Sequence, residues 1–201
     1  GSAEPVMEAP PGSLLVGSVA RGDVREGSDV DVALLDPLPP SLVEERLRAA
    51  GLAVALRELV QATPLSTPKL YLHLEGGEKV SVPLAELSRV EEEFYRFAGS
   101  ITLEQLRRGE RVPGVSKQLL AIIPTERGHV EFSVLGREAE VARLLGVSLE
   151  AVLDRVRALT RRDRVGRTGL FLRVEIPAWE SAEAAVEELA RRVPALRRKL
   201  A

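Results

Sequence analysis

Asp29 and Asp31 flank a single valine in the run Asp29-Val30-Asp31-Val32-Ala33-Leu34-Leu35, whose alternation predicts a β-strand. Side chains on a strand alternate faces, so the two aspartates project to one side and Val30 and Val32 to the other. Two carboxylates about 7 Å apart on one face repel each other unless a cation sits between them. Hard oxygen donors in that arrangement suit Mg²⁺, which commonly takes one or two carboxylates plus substrate phosphates. Upstream, Gly17-Ser18 ends the apolar run Leu14-Leu15-Val16, with ten residues between Ser18 and Asp29. A glycine bend after a strand lets backbone N–H groups approach an anion with no Cβ in the way. A phosphate cradle and a metal-binding pair on adjacent strands describe a nucleoside triphosphate site. The bland alternative is a solvated hairpin whose acids happen to alternate, but turn, spacing and alternation agree on the first reading.

The pattern Gly17-Ser18, ten residues, Asp29-Val30-Asp31 resembles the signature of the DNA polymerase beta-type nucleotidyltransferase superfamily. The flanking GSVARGD and SDVDVALL are similar to its minimal nucleotidyltransferase branch. The resemblance implies that Gly17 and Ser18 bind the triphosphate, that Asp29 and Asp31 hold metal (two Mg²⁺ ions if the chain is active), and that a nucleotidyl group passes to a hydroxyl. It also implies a third carboxylate on a later strand.

The elements that must position these residues follow in order. Pro10, Pro11 and Gly12 argue against a helix before the first strand, and residues 1–11 are set aside as a tag or disordered start. Ser41 and Glu44 have the spacing of a capping box for a helix with Leu42, Val43, Leu47 and Ala50 on its apolar stripe, stopping at Gly51. Residues 52–60 read as a strand of mixed period. Residues 69–84 read as a hairpin with a three-residue loop over 76–78, which sets Leu74 opposite Val80 and Leu72 opposite Val82. Glu75, His73 and Ser81 then share the other face. Ser81 falls where the resemblance places the third carboxylate, and a serine is a poor anion for Mg²⁺. Three readings follow: Glu75 substitutes, the site binds nucleotide and metal without turnover, or the strand is aligned wrongly. His73 alone reads as a satisfied strand residue rather than a ligand.

Composition bounds the rest. The chain has 201 residues, 45% hydrophobic and only 3% aromatic, so its core is aliphatic; it has no cysteine, which excludes disulfides and thiolate metal sites. No apolar run is long enough for a membrane span, and a cytoplasmic protein is the expectation. Residues 151–201 carry 12 Lys/Arg against 7 Asp/Glu, an asymmetry that hints at a nucleic-acid-facing C-terminal part.

The expected fold class is α+β: a nucleotidyltransferase-like mixed sheet with helices over 12–87, a helical connector over 88–112 with a cap at Thr102 and Gln105, and a winged-helix-like domain over 113–201. Residues 119–135 read as a second hairpin. A helix then ends at Gly146, and Ser148 caps the next. Ala142, Gly146 and Val152 have the spacing of a helix-turn-helix, and the strand 170–176 reads as its wing. This part resembles the winged helix family, whose second helix lies in the DNA major groove. Arg155, Arg157, Arg161, Arg162, Arg164, Arg167 and Arg173 form a candidate phosphate-contact set for DNA or RNA. Glu150 and Asp154 on the same helix argue the other way, toward a protein partner. Ser181 caps a last helix, and 196–201 reads as a short basic end that frays.

Overall fold

Leu70, Leu72, Leu74, Val80 and Val82 are all buried and build the middle of a sheet from the hairpin of β4 (Lys69–Leu74) and β5 (Lys79–Pro83). The register sets Leu72 opposite Val80 and Leu70 opposite Val82, and the Leu74 N–H donates to the Glu78 carbonyl at 2.8 Å. The loop is therefore 75–77, and the pairing lies two residues from the expected one. Alternation fixes which face is buried but does not separate registers that differ by two. The consequence falls on Glu75: it leaves the strand for an exposed turn.

The computed structural model describes residues 2–165 and 169–201. They form two units interleaved along the chain: residues 2–13, 31–87 and 169–201 in the first, residues 14–30 and 88–165 in the second. The division differs from the contiguous blocks 12–87, 88–112 and 113–201, because pairing partners distant in sequence define each unit.

In the first unit, β2 (Asp31–Ala33) runs parallel to β5, and β3 (Val54–Gln61) runs antiparallel to β4. The other edge of β3 carries β10 (Leu172–Ile176), giving the order β10-β3-β4-β5-β2. The strand expected as a wing is thus a sheet strand of this unit. Helix α3 (Pro40–Ala49) buries Pro40, Val43 and Leu47. Its N-cap is Pro39 with no side-chain cap; Glu44 accepts from Arg57 at 3.1 Å instead, and the Ser41 N–H donates to Glu183 at 2.8 Å. Helix α8 (Ala182–Arg192), capped by Ser181 as expected, packs on α3. Helix α9 (Pro194–Leu200) buries Leu196 completely, and its Ala195 carbonyl accepts from Gln61. The expected fraying end is therefore packed.

Helix α1 (Ala3–Glu8) corrects another expectation. Ala3, Val6 and Met7 are buried, and the Ser13 hydroxyl donates to the Met7 carbonyl. Pro10 and Pro11 stop this helix rather than prevent it, and Pro5 lies in the first turn, where proline is tolerated.

In the second unit, β1 (Leu14–Val16) pairs antiparallel with β6 (Ser100–Ile101), and the one-turn helix α2 (Ser18–Arg21) follows β1. Helices α4 (Arg89–Ala98) and α5 (Leu103–Arg107) both start in complete capping boxes, Ser88 with Glu91 and Thr102 with Gln105. A three-stranded sheet holds β7 (Gly114–Val115), β8 (Leu120–Thr125) and β9 (Gly128–Ser133). Helices α6 (Glu138–Leu145) and α7 (Leu149–Val165) pack on each other through a left-handed Gly146. Ala142 and Val152 are buried with Phe97, Val115, Ala121, Val134 and Leu159 in one core.

Glu93 ties α4 to the start of α7. Its carboxylate, nearly inaccessible, accepts from the Ser148 backbone at 2.8 Å and the Ser148 hydroxyl at 2.6 Å. The Ser148 hydroxyl bond, then the backbone bond and the charges of Arg89 and Arg96, hold the Glu93 carboxyl below the ordinary carboxylate range against burial, which opposes them. A carboxyl with a depressed folded-state pKa contributes stability above its unfolded pKa and loses it as pH falls through the folded one. Wild-type stability is therefore expected to fall as pH drops below the ordinary glutamate range, about 4.3, with a shallower fall in Glu93→Gln. Denaturant midpoints across pH check this; parallel curves for the two proteins would refute it.

Candidate nucleotide site

Gly17 adopts φ +94°, ψ −145°, a region essentially reserved for glycine. An added Cβ would meet nothing within 4 Å, so the requirement here is conformational rather than steric within the protein. The Gly17 N–H already donates to the Gly99 carbonyl at 2.9 Å. In α2 itself the first bond runs from the Arg21 N–H to the Gly17 carbonyl at 3.0 Å, which leaves the Ser18, Val19 and Ala20 N–H groups without an intrahelical acceptor. Gly17→Ala is expected to cost about 1–3 kcal/mol through backbone strain, read as a shift in denaturant midpoint; no measurable shift would contradict the assignment.

Arg21 and Asp23 were not singled out in the sequence. Arg21 is buried and donates to both Asp23 oxygens, at 3.0 and 3.1 Å, and to the Ala98 carbonyl at 2.7 Å. This fork fixes the segment after Ser18. The signal was an Arg-x-Asp triplet four residues after the glycine of the bend, which admits a planar bidentate pair.

Asp31 opens β2, whereas Asp29 lies before the strand and is exposed. The strand is shorter than expected. Chain length alone keeps the two Cα atoms within about 7 Å, with Asp29 assigned to the second unit and Asp31 to the first. Within the first unit the parallel register puts Asp31 beside Lys79 and Ala33 beside Ser81. Lys79 Nζ lies 3.5 Å from Asp31 Oδ1, an oxygen that is buried and accepts no hydrogen bond.

Ser81 is buried, and its carbonyl accepts from the Leu34 N–H at 3.0 Å. Glu75 sits in the 75–77 turn, off the strand face on which it was expected. Among the described residues no group of three or more His, Asp or Glu side chains is placed to hold a metal. Mg²⁺ takes carboxylate oxygens together with phosphate oxygens, and the orphaned Asp31 oxygen is the kind of atom a cation satisfies. A second ion is not matched by this donor set.

His73 has a partner, as its bland reading expected. Its Nε2 lies 2.7 Å from Glu58 Oε1, and Arg173 Nε donates to Glu58 Oε2 at 2.6 Å. Burial alone would push the Glu58 carboxyl up, but the Arg173 and His73 bonds and charges hold it below the usual range. Arg173 is thus an ion-pair partner in the first unit.

The remaining arginines divide. Arg155 lays its guanidinium over the Phe94 ring at 5.4 Å, and burial, then the Arg162 charge, pulls it below its ordinary value. Arg157 pairs with Asp154. Arg161, Arg162 and Arg164 are exposed on the last turns of α7. Arg167 lies outside the described residues, as does part of the turn expected before the next strand.

The model of the nucleotidyltransferase domain family matches residues 12–82. The match supports the nucleotidyltransferase superfamily for that segment, and with it a nucleotidyl-transfer-like function. Neither the curated proteins nor the solved structures contain a match to this chain. Among the described residues, no helix is long and apolar enough to cross a membrane.

Proposed function

We propose that residues 12–82 bind a nucleoside triphosphate with Mg²⁺ and pass its nucleotidyl group to a hydroxyl acceptor. The observation that carries this reading is the family match over the segment holding Gly17-Ser18 and Asp29-Val30-Asp31. Gly17 and Ser18 meet the phosphates, and Asp29 and Asp31 hold the Mg²⁺. The acceptor hydroxyl oxygen forms a bond to the α-phosphorus while the bond to the bridging oxygen breaks, pyrophosphate leaves and the hydroxyl proton passes to water. Mg²⁺ would supply charge neutralisation on the phosphate oxygens. The chain's own part is positioning, which supplies much of the rate in phosphoryl transfer. Arg161, Arg162 and Arg164 offer phosphate contacts to a nucleic-acid partner.

A second reading is a non-catalytic DNA-binding regulator or antitoxin-like protein with a degenerate nucleotidyltransferase domain. One observation favours it: Ser81, where the resemblance expects the third carboxylate, pairs with Ala33 of β2, and Lys79 pairs with Asp31. Radiolabelled ATP, CTP, GTP and UTP with Mg²⁺ and cell extract separate the two. Label transfer supports the enzyme; nucleotide binding without transfer supports the regulator.

A further inference from the structure

We propose that Lys79 is a phosphate-binding residue that supplies at Asp31 the positive charge a second metal ion would supply, so the triphosphate is held with one Mg²⁺ per chain. The inference rests on the nucleotide-binding reading above and names the residue that sets its charge balance. Lys79 and Asp31 are direct neighbours across the parallel pair of β5 and β2, and each side chain is 37% exposed. The ammonium lies 3.5 Å from Asp31 Oδ1 without a hydrogen bond forming between them. An ammonium has three donors and no acceptor, and among the described residues Lys79 makes no hydrogen bond with any of them.

Its position is nonetheless constrained. The Tyr71 ring lies 5.0 Å from Nζ, a cation–π distance, and Tyr71 is paired with Ser81 in the next strand. The result is a half-exposed point charge with donors to spare, held beside a carboxylate oxygen that no hydrogen bond satisfies. Triphosphate oxygens are matched to such a group, since a lysine binds phosphate as a compact charge without the planar demands of arginine. A second divalent ion at Asp31 would add to the charge that one Mg²⁺ and the ammonium already bring, and Ser81 brings no compensating anion.

The test counts bound Mn²⁺ by electron paramagnetic resonance and measures affinity by calorimetry, using the α,β-methylene analogues of ATP, CTP, GTP and UTP. The wild type is expected to hold one Mn²⁺ per chain with the analogue it binds. Lys79→Met should weaken that analogue about tenfold or more, and Lys79→Arg should recover part of the loss. Lys79→Asp, which adds a carboxylate beside Asp31, should raise the count to two. Two Mn²⁺ in the wild type, or Lys79→Met affinity within about twofold of wild type, overturns the role of Lys79 while leaving nucleotide binding intact. No binding of any analogue by the wild type overturns the underlying reading and this inference together.

Discussion

Asp31→Ala is expected to lower nucleotidyl transfer by about 100-fold or more, the scale on which losing a group that organises transition-state charge is felt, about 2.7 kcal/mol. The same substitution should leave thermal stability nearly unchanged. Asp31 Oδ1 is a buried carboxylate oxygen with no hydrogen bond and one partly exposed lysine nearby, so its charge gains little from the fold. Asp31→Asn sharpens the point, because it keeps the shape and removes only the charge. A fall in melting temperature that tracks the fall in transfer would assign Asp31 to structure instead.

Arg57→Ala is expected to destabilise the first unit by about 3–5 kcal/mol, the usual cost of removing one partner from a buried ionic network. The guanidinium is buried on β3 and donates to the Glu180 carbonyl at 2.6 Å, to the Pro177 carbonyl, and to Glu44 at 3.1 Å. It thereby fastens the link between β10 and α8 to the sheet and to α3. Removing it strands two carbonyls and a carboxylate away from full hydration. Arg57→Lys should recover only a fraction, since one ammonium does not reproduce the fork. Urea denaturation measures both variants, and a loss below about 1 kcal/mol for Arg57→Ala would contradict the account.

What was legible in the sequence was local. Gly17 at a glycine-only bend and Asp31 at the head of a strand follow from a turn residue and a period of two, whereas Asp29 falls before that strand. The capping residues Thr102, Gln105 and Ser181, and Gly146 as a helix stop, follow rules that span four residues or fewer. The buried face of the 69–83 hairpin was legible too, because alternation decides it.

The unreadable parts depend on partners far along the chain. Residues 172–176 have the composition of any strand, and only β3 across more than a hundred residues decides that they join its edge rather than form a wing. The two-residue shift that moved Glu75 into a turn preserves every buried side chain, so no hydrophobic pattern distinguishes it. Lys79 gave no signal because its meaning comes from lying beside Asp31. Arg155 reads in the sequence as a phosphate contact, and only Phe94, on a different helix, shows that its guanidinium lies over a ring. In α1, the prolines were read as preventing a helix when they only terminate it.

The most direct test of the central claim is a calorimetric titration of each Mg²⁺–nucleoside triphosphate into the wild type and into Asp29→Ala/Asp31→Ala. The account predicts saturable binding of at least one triphosphate by the wild type, and its loss in the double variant while the fold persists by circular dichroism. Binding that survives the double substitution, or no binding by the wild type, would contradict it.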